Sequence, residues 1–284
     1  MEGSCALVPT ASPFDDFVSR HGGTPRRGMF GVVVHELGRR IVGGEFGPCG
    51  PLPREDDLIA EVGVSRTTFR EAMKCLAAKG LVEIRTKTGT RVRDRTQWRH
   101  TDPDVMVWHY ETGPSRAFLE QLADLRRVLE PAAAARAAQR GSKAEIARIA
   151  AAYKLMCTSI GKPDRHAEAD CAFHTAIFAA THNVILARLI DTIAIGIFGN
   201  AVKATKAVIE GQRRSLAYHA DVLAAIEARD ETGAAEAAVR LLDSWHPEPE
   251  RARLTQRDPG IARGVADGNR RAAVRETKSH PRGR

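Results

Sequence analysis

One stretch limits what this chain can become more than any other, the run from Leu52 to Val92. Leu58, Val62 and Val64 give a short helix an apolar side, and Gly63 stops it, as a glycine just past a helix end does. Ser65 then stands where a hydroxyl can accept from a free backbone N–H and start the next helix. Phe69, Ala72, Met73 and Leu76 recur at helical spacing and make a buried stripe. Arg66, Thr67, Arg70 and Lys74 occupy the opposite face, and Gly80 ends the helix. Leu81 to Arg85 has the pattern of a strand, Thr86 to Gly89 of a turn, and Thr90 to Arg93 of a returning strand. Helix, tight turn, helix and basic hairpin predict a winged helix-turn-helix, whose second helix is of the kind that enters a DNA major groove.

The polar residues suit that expectation. Arginine pairs bidentately with guanine, and hydroxyls with helix-start amides suit phosphate oxygens. Ser65, Arg66, Thr67, Thr68 and Arg70 are therefore the candidate contacts of the second helix, with Lys87, Gly89 and Arg91 on the wing. The plain alternative is a small helical domain with a solvated basic face.

The same stretch resembles the GntR family of bacterial transcription factors. The resemblance rests on Leu52-Pro53, Leu58, Gly63-Val64-Ser65-Arg66-Thr67, Arg70-Glu71-Ala72, Leu76, Lys79-Gly80-Leu81-Val82 and Gly89-Thr90. It extends back to the Leu37–Ile41 segment. Many members carry a DNA-contacting arginine two residues before the helix-two leucine. Here that position is Asp56, and an acid cannot hold phosphate or guanine; Arg54 is the nearest substitute.

The chain has 284 residues, room for about two domains. Hydrophobic residues at 43% and charged residues at 27% match a globular protein. The longest apolar run, Val184 to Val202, is broken by Arg188 and Asp191, so no membrane span is expected. The N-terminus lacks a secretory pattern, and Cys5, Cys49, Cys75, Cys157 and Cys171 have no paired spacing. Reduced thiols and a cytoplasmic location are the expectation. Of the net charge of +8, residues 251–284 supply ten basic groups against three acids, or +7, leaving +1 for the rest. That tail either adds salt-sensitive attraction to DNA or is merely solvated.

Five segments are expected. Residues 1–27 form a disordered N-terminus, 28–95 the winged domain, 96–114 a linker, 115–247 a helical effector-binding and dimerisation domain, and 248–284 a basic disordered tail. In the linker, Asp102-Pro103-Asp104 marks a turn, and Val105, Trp108 and Tyr110 pack between domains. From Ser115 onward glycine thins out and helical spacing dominates. Segments near 115–140, 143–160, 164–181, 184–208, 211–228 and 232–245 predict an antiparallel all-α bundle. The second of these opens with a capping box, Ser142 to Glu145. The fold class is mainly α.

Asp170 and His174 lie four apart and share a helix face, and His219 sits among apolar residues of a later helix. Together they suit a divalent metal such as Zn or Ni; the alternative is an ion pair beside a satisfied core histidine. The helical half is similar to the FCD ligand-binding domain of the FadR subfamily. The matching residues are Leu125-Arg126-Arg127-Val128-Leu129-Glu130-Pro131, Asp170-Cys171-Ala172-Phe173-His174, Asn183, His219, Ala224-Ala225-Ile226 and Asp230. That resemblance implies a metal held by Asp170, His174 and His219, with a fourth ligand at a position occupied here by Leu241; His246 lies five residues beyond it. It also implies that Arg126 grips the carboxylate of a small organic acid, as guanidinium can do bidentately. Otherwise Arg126 is an exposed partner of Glu130 at i,i+4.

The linker residues Arg93 to Trp98, Asp102 to Val105 and Trp108, with Arg240 to Asp243, are similar to the galactonate-operon repressor branch of the family, which implies a sugar acid as effector. The expected protein is a homodimeric regulator, more often a repressor, that binds double-stranded operator DNA under control of a small carboxylate, and not an enzyme. Two rivals remain. One is a metal-dependent enzyme using Asp170, His174 and His219. The other is a DNA-binding protein that ignores ligands.

Overall fold

The computed structural model describes residues 17, 19–85, 89–201 and 206–244. The N-terminal module comprises α1 (Gly28–Val42), α2 (Glu55–Val62), α3 (Arg66–Ala78), β1 (Val82–Arg85) and β2 (Gly89–Val92). Gly63 stands at φ 71° just past α2, the left-handed cap that a glycine adopts without strain. Ser65 caps α3 by accepting from Thr68 N–H at 3.1 Å. The β1–β2 pair is antiparallel with Val82 opposite Val92. The loop before α2 pairs with β2 as well, through Leu52 N–H to Thr90 O and Val92 N–H to Gly50 O, both 2.9 Å. Val33, Leu37, Ile41, Leu58, Phe69, Met73, Leu76 and Leu81 form one buried core. This is the winged helix-turn-helix that the sequence predicts.

The C-terminal module is a helical bundle of α5 (Arg116–Arg140), α6 (Lys143–Thr158), α7 (Pro163–Ala179), α8 (Val184–Ala201), α9 (Lys206–Glu227) and α10 (Glu231–Asp243). α5 packs on α10 and α7, and α9 packs on α5, α6 and α10. The capping box at the start of α6 is formed, with Ser142 and Glu145 bonded reciprocally. Phe173, Phe178, Ile193, Phe198, Ile226 and Ile149 lie in a second, separate core.

The segment between the modules differs from the expected linker. Pro103–Thr112 is a helix, α4, capped by Asp102 with Pro103 in its first turn. The Asp-Pro-Asp run is therefore a helix start, where proline's missing N–H and fixed φ are suited, rather than an isolated turn. Six consecutive residues, Asp104 to His109, are buried. A helix covered on all sides carries no amphipathic period, which is why spacing did not show it. Val105 and Trp108 belong to the N-terminal core, and Met106 and Val107 to the bundle core. Gly38 of α1 lets this contact exist, because a Cβ there would overlap the Trp108 ring.

The N-terminal boundary needs correction too. Phe17, expected in a disordered stretch, is 3% exposed and stacks on Phe198 at 4.4 Å. Thr24 N–H donates to Asp104 Oδ1 at 2.9 Å. Arg20 and Arg26 add ion pairs to Glu168 and Glu111, so several contacts tie this segment to the rest of the chain. Residues 1–16, Lys87, His246 and the basic tail lie outside the described residues.

Candidate functional site

Two groups of side chains are candidates. The first is the outer face of α3 with the wing. Arg66, Thr67 and Arg70 are exposed, Thr68 is half-buried, and Ser65 spends its hydroxyl on capping the helix and on Thr68 Oγ1 at 2.9 Å. Arg54 is exposed at the N-cap position of α2. On the wing, Gly89 takes φ 78° at the turn, and Arg91 donates from Nη2 to Cys49 O at 2.9 Å. The two arginines of α3 are not bare cations. Arg66 Nη2 lies 2.8 Å from Asp56 Oδ1, and Arg70 Nε donates to Glu55 Oε1 at 2.9 Å. Both acids come from the first turn of α2, where the helix N-terminus favours negative charge.

The second group lies inside the bundle. α7 presents Asp170 and His174 on one face, α9 brings His219, and α5 brings Arg126 and Glu130. Asp170 Oδ1 lies 3.3 Å from His174 Nε2 and 3.2 Å from His219 Nε2. His174 Nδ1 lies 3.1 Å from Glu130 Oε2, and Arg126 Nε donates to Glu130 Oε1 at 2.5 Å. His219 Nδ1 donates to Ser215 O at 2.7 Å. An unbroken polar chain thus runs from Arg126 through Glu130, His174 and Asp170 to His219. Glu130 was legible only as an i,i+4 partner of Arg126. The structure places that pair in the interior, with side chains 12% and 5% exposed, not on the surface.

Each member's charge follows from its neighbours. Burial opposes ionisation of Glu130, but Arg126 and His174 outweigh it and hold the carboxyl at about 2. Burial likewise disfavours charge on His174, yet Glu130 and Asp170 together raise its imidazole to about 9. The Asp170 carboxyl resists burial in the same way, and His174 and His219 hold it well below the usual range. Arg126 stays charged against burial because Glu130 faces it.

The donor set suits a cation. Asp170, His174 and His219 each offer a ligand atom, all within 4.8 Å of one another. Donors about 2.0–2.2 Å from one metal, at tetrahedral or octahedral angles, are themselves roughly 3–3.6 Å apart. A backbone carbonyl can only accept, so His219 donates from Nδ1 to Ser215 O and keeps Nε2 directed at the Asp170 carboxylate. Nε2 can there serve as a donor to Asp170 or as a ligand to a cation beside it. His174 has the corresponding arrangement, with Glu130 on Nδ1, the carboxylate–histidine pairing that commonly orients metal-bound imidazoles. Leu241, at the fourth position, is apolar and buried. It lines a cavity of about 10 Å³ together with Glu130, His174, Phe173, Phe178 and Val222. That is room for roughly one water.

Comparison with known proteins covers both modules. Residues 31–92 match the family described as "Bacterial regulatory proteins, gntR family", and residues 121–244 match the FCD domain. The chain is similar to the Galactonate operon transcriptional repressor of Escherichia coli, 31% identical over 214 residues, which is 75% of this chain and 93% of that protein. It is also 31% identical over 166 residues to the Glc operon transcriptional activator of the same organism, 57% of this chain and 64% of that one. The Uxu operon transcriptional regulator of Escherichia coli is 32% identical over 162 residues, covering 56% of this chain and 60% of that one. Among solved structures, Lar, which controls expression of the Listeria monocytogenes agr system, aligns with TM-score 0.52 at 19% identity, over 77% of this chain and 96% of that chain. That likeness concerns the fold. Among the described residues no helix is long and apolar enough to cross a membrane.

Proposed function

The chain belongs to the gntR family of bacterial regulatory proteins and carries an FCD domain, so it is a DNA-binding transcription regulator and not an enzyme; on that premise we propose that it is a cytoplasmic, homodimeric repressor controlled by a small sugar acid. The observation that carries the effector class is the state of Arg126. Its Nε is held by Glu130, while no hydrogen bond joins its two terminal nitrogens to a described residue. A guanidinium fixed at one edge and open at the other is prepared for a bidentate carboxylate. The sugar-acid class is proposed on similarity to the galactonate repressor.

Asp170, His174 and His219 would hold a divalent metal, Zn or Ni, beside this arginine. A metal there would supply a Lewis-acidic anchor for carboxylate or hydroxyl oxygens of the effector. Leu241 leaves that side of the site without a fourth protein ligand. Glu130 fixes both the Arg126 fork and the His174 tautomer, so the acid and metal positions are mechanically joined.

A drug-sized ligand pocket spans about 300–1,000 Å³. The cavity beside Glu130, His174 and Leu241 is far smaller, and Arg126 is not among its lining residues. Seating an acid on Arg126 would therefore part α5, α7, α9 and α10, the kind of movement a regulator uses. Two winged heads in a two-fold dimer would read matched half-sites through α3. Exposed Val184, Ile185 and Leu189 at the start of α8 offer apolar surface for the second copy.

The test is calorimetry with galactonate and related aldonates on the full-length protein, before and after chelation, alongside operator retardation. Heat with galactonate, lost in Arg126→Ala, is expected. Absence of heat for every aldonate, with or without Zn or Ni, would refute the effector assignment.

A further inference from the structure

On the proposed reading that α3 faces DNA, both of its exposed arginines are already paired with acids of the same chain. Asp56 Oδ1 lies 2.8 Å from Arg66 Nη2, and Glu55 Oε1 lies 2.9 Å from Arg70 Nε and 3.5 Å from Arg66 Nη1. One acid pair on α2 thus covers both cations that point toward a duplex. The same bookkeeping holds around them. Lys74 pairs with Glu71 at 2.8 Å and Arg85 with Glu83 at 2.9 Å. Residues 28–95 carry twelve Lys and Arg against nine Asp and Glu, a net of only +3.

From this geometry we propose that Glu55 and Asp56 are specificity-determining residues, which suppress binding to random DNA by competing with phosphate for Arg66 and Arg70. All four side chains are solvent-accessible, with Asp56 73% and Arg66 57% exposed. Pairs this exposed are weak and open readily. A phosphate can take each arginine bidentately, as guanine can, but it exchanges one negative charge for another and brings the displaced carboxylate against the anionic DNA backbone. A guanine edge offers two aligned acceptors without a full negative charge. The acid pair therefore taxes phosphate contact more than base contact. A cell presents a vast excess of non-specific sites, so the ratio of affinities, not the affinity itself, decides occupancy.

Counterion release makes the inference measurable. Each cation committed to phosphate steepens the fall of log K with log salt by about 0.9. Freeing two arginines steepens the slope on random DNA by up to about 1.8, so affinity falls roughly tenfold more between 50 and 200 mM salt. The full-length protein is compared with Asp56→Asn and with Glu55→Gln/Asp56→Asn. The probes are a random-sequence duplex of about 30 base pairs and a duplex recovered by in vitro selection with the unaltered protein. Thermal melting checks folding, and Asp56→Asn, at so exposed a position, keeps the test usable if the double variant melts early. The expected result is tighter random-duplex binding at low salt, a steeper salt slope, and a smaller ratio of selected to random affinity. Unchanged slope and random affinity in both variants would overturn the proposal. So would a loss confined to the selected duplex, which would mean that the acids read bases, for instance as acceptors from cytosine.

Discussion

Replacing Glu130 by glutamine isolates the residue that holds the bundle's polar chain together. Glutamine keeps the volume and one acceptor oxygen but loses the charge that balances Arg126 and His174. Its NH2 group must then face one of two N–H donors. The Glu130 carboxyl is held at about 2 against an ordinary 4.5. At about 1.4 kcal/mol per pKa unit, that depression is worth about 3 kcal/mol at neutral pH. The elevation of His174 describes the same interaction from its other end and is not added. Measured losses on breaking a buried ion pair run about 3–5 kcal/mol, in agreement. For a chain this size the melting temperature should drop by roughly 6–12 °C. A depressed carboxyl stabilises above its unfolded value, and the contribution disappears as pH falls through the folded value. The gap between the two proteins in urea melts, at fixed protein concentration, should therefore be full at pH 7 and less than half by pH 3. A gap below about 1 kcal/mol at pH 7, or one indifferent to acid, would show that Glu130 does not carry the charge balance assigned to it.

Four further outcomes are expected. Because His174 is raised to about 9 from 6.5, its charged form stabilises fully below about pH 6.5 and is lost as pH rises through 9; the chelated protein should lose melting temperature between pH 7 and 10, and saturating Zn should remove that alkaline decline. Arg126→Ala should abolish calorimetric response to an aldonate while retardation of a selected duplex persists; an unchanged titration would exclude Arg126 from the acid site. Arg66→Ala and Arg70→Ala should each weaken selected-duplex binding by about 1–3 kcal/mol with melting unaffected, and normal footprints for both would remove them from the interface. Gly38→Ala should cost about 1–3 kcal/mol, since its Cβ would overlap the Trp108 ring, and an unperturbed denaturation midpoint would contradict that packing.

What the sequence discloses follows from how local each cause is. The α2–α3 turn was legible because Gly63, Ser65 and the Phe69–Leu76 stripe act within a few residues of one another. The bundle helices were legible for the same reason, down to the Ser142–Glu145 capping box. The Asp170–His174 half of the polar cluster is an i,i+4 pair; His219, on a later helix, could be joined to it as a candidate ligand, and the family resemblance strengthened that grouping. Glu130 was hidden because a surface arginine–glutamate pair and a buried one have the same spacing. α4 was hidden because a helix buried on every side has no polar face to mark its period. The pairing of Asp56 with Arg66 joins two helices across a turn, and no periodicity reports it. Asp56 was visible as a departure from the family pattern, but its partner was not.

α4 also decides what kind of two-module protein this is. Tandem domains normally move freely unless a large apolar contact prevents it. Here one helix contributes side chains to both cores. At its start, Asp102 and Asp104 receive the buried Lys79 ammonium at 3.0 and 2.8 Å, from the residue that ends α3. In its middle, Trp108 Nε1 donates to His35 Nδ1 at 2.9 Å. Near its end, the Tyr110 ring lies flat against Gly199 of α8, and Tyr110 is near enough to Arg126 to act on its charge. Close-packed interiors transmit displacement rather than absorb it. A parting of α5 from α7 large enough to admit an acid would thus press on Tyr110. α4 has no slack between that ring and the clamp on Lys79. The last turn of α3, the helix proposed to meet DNA, is in this way tied by packed side chains and ion pairs to the arginine proposed to hold the effector.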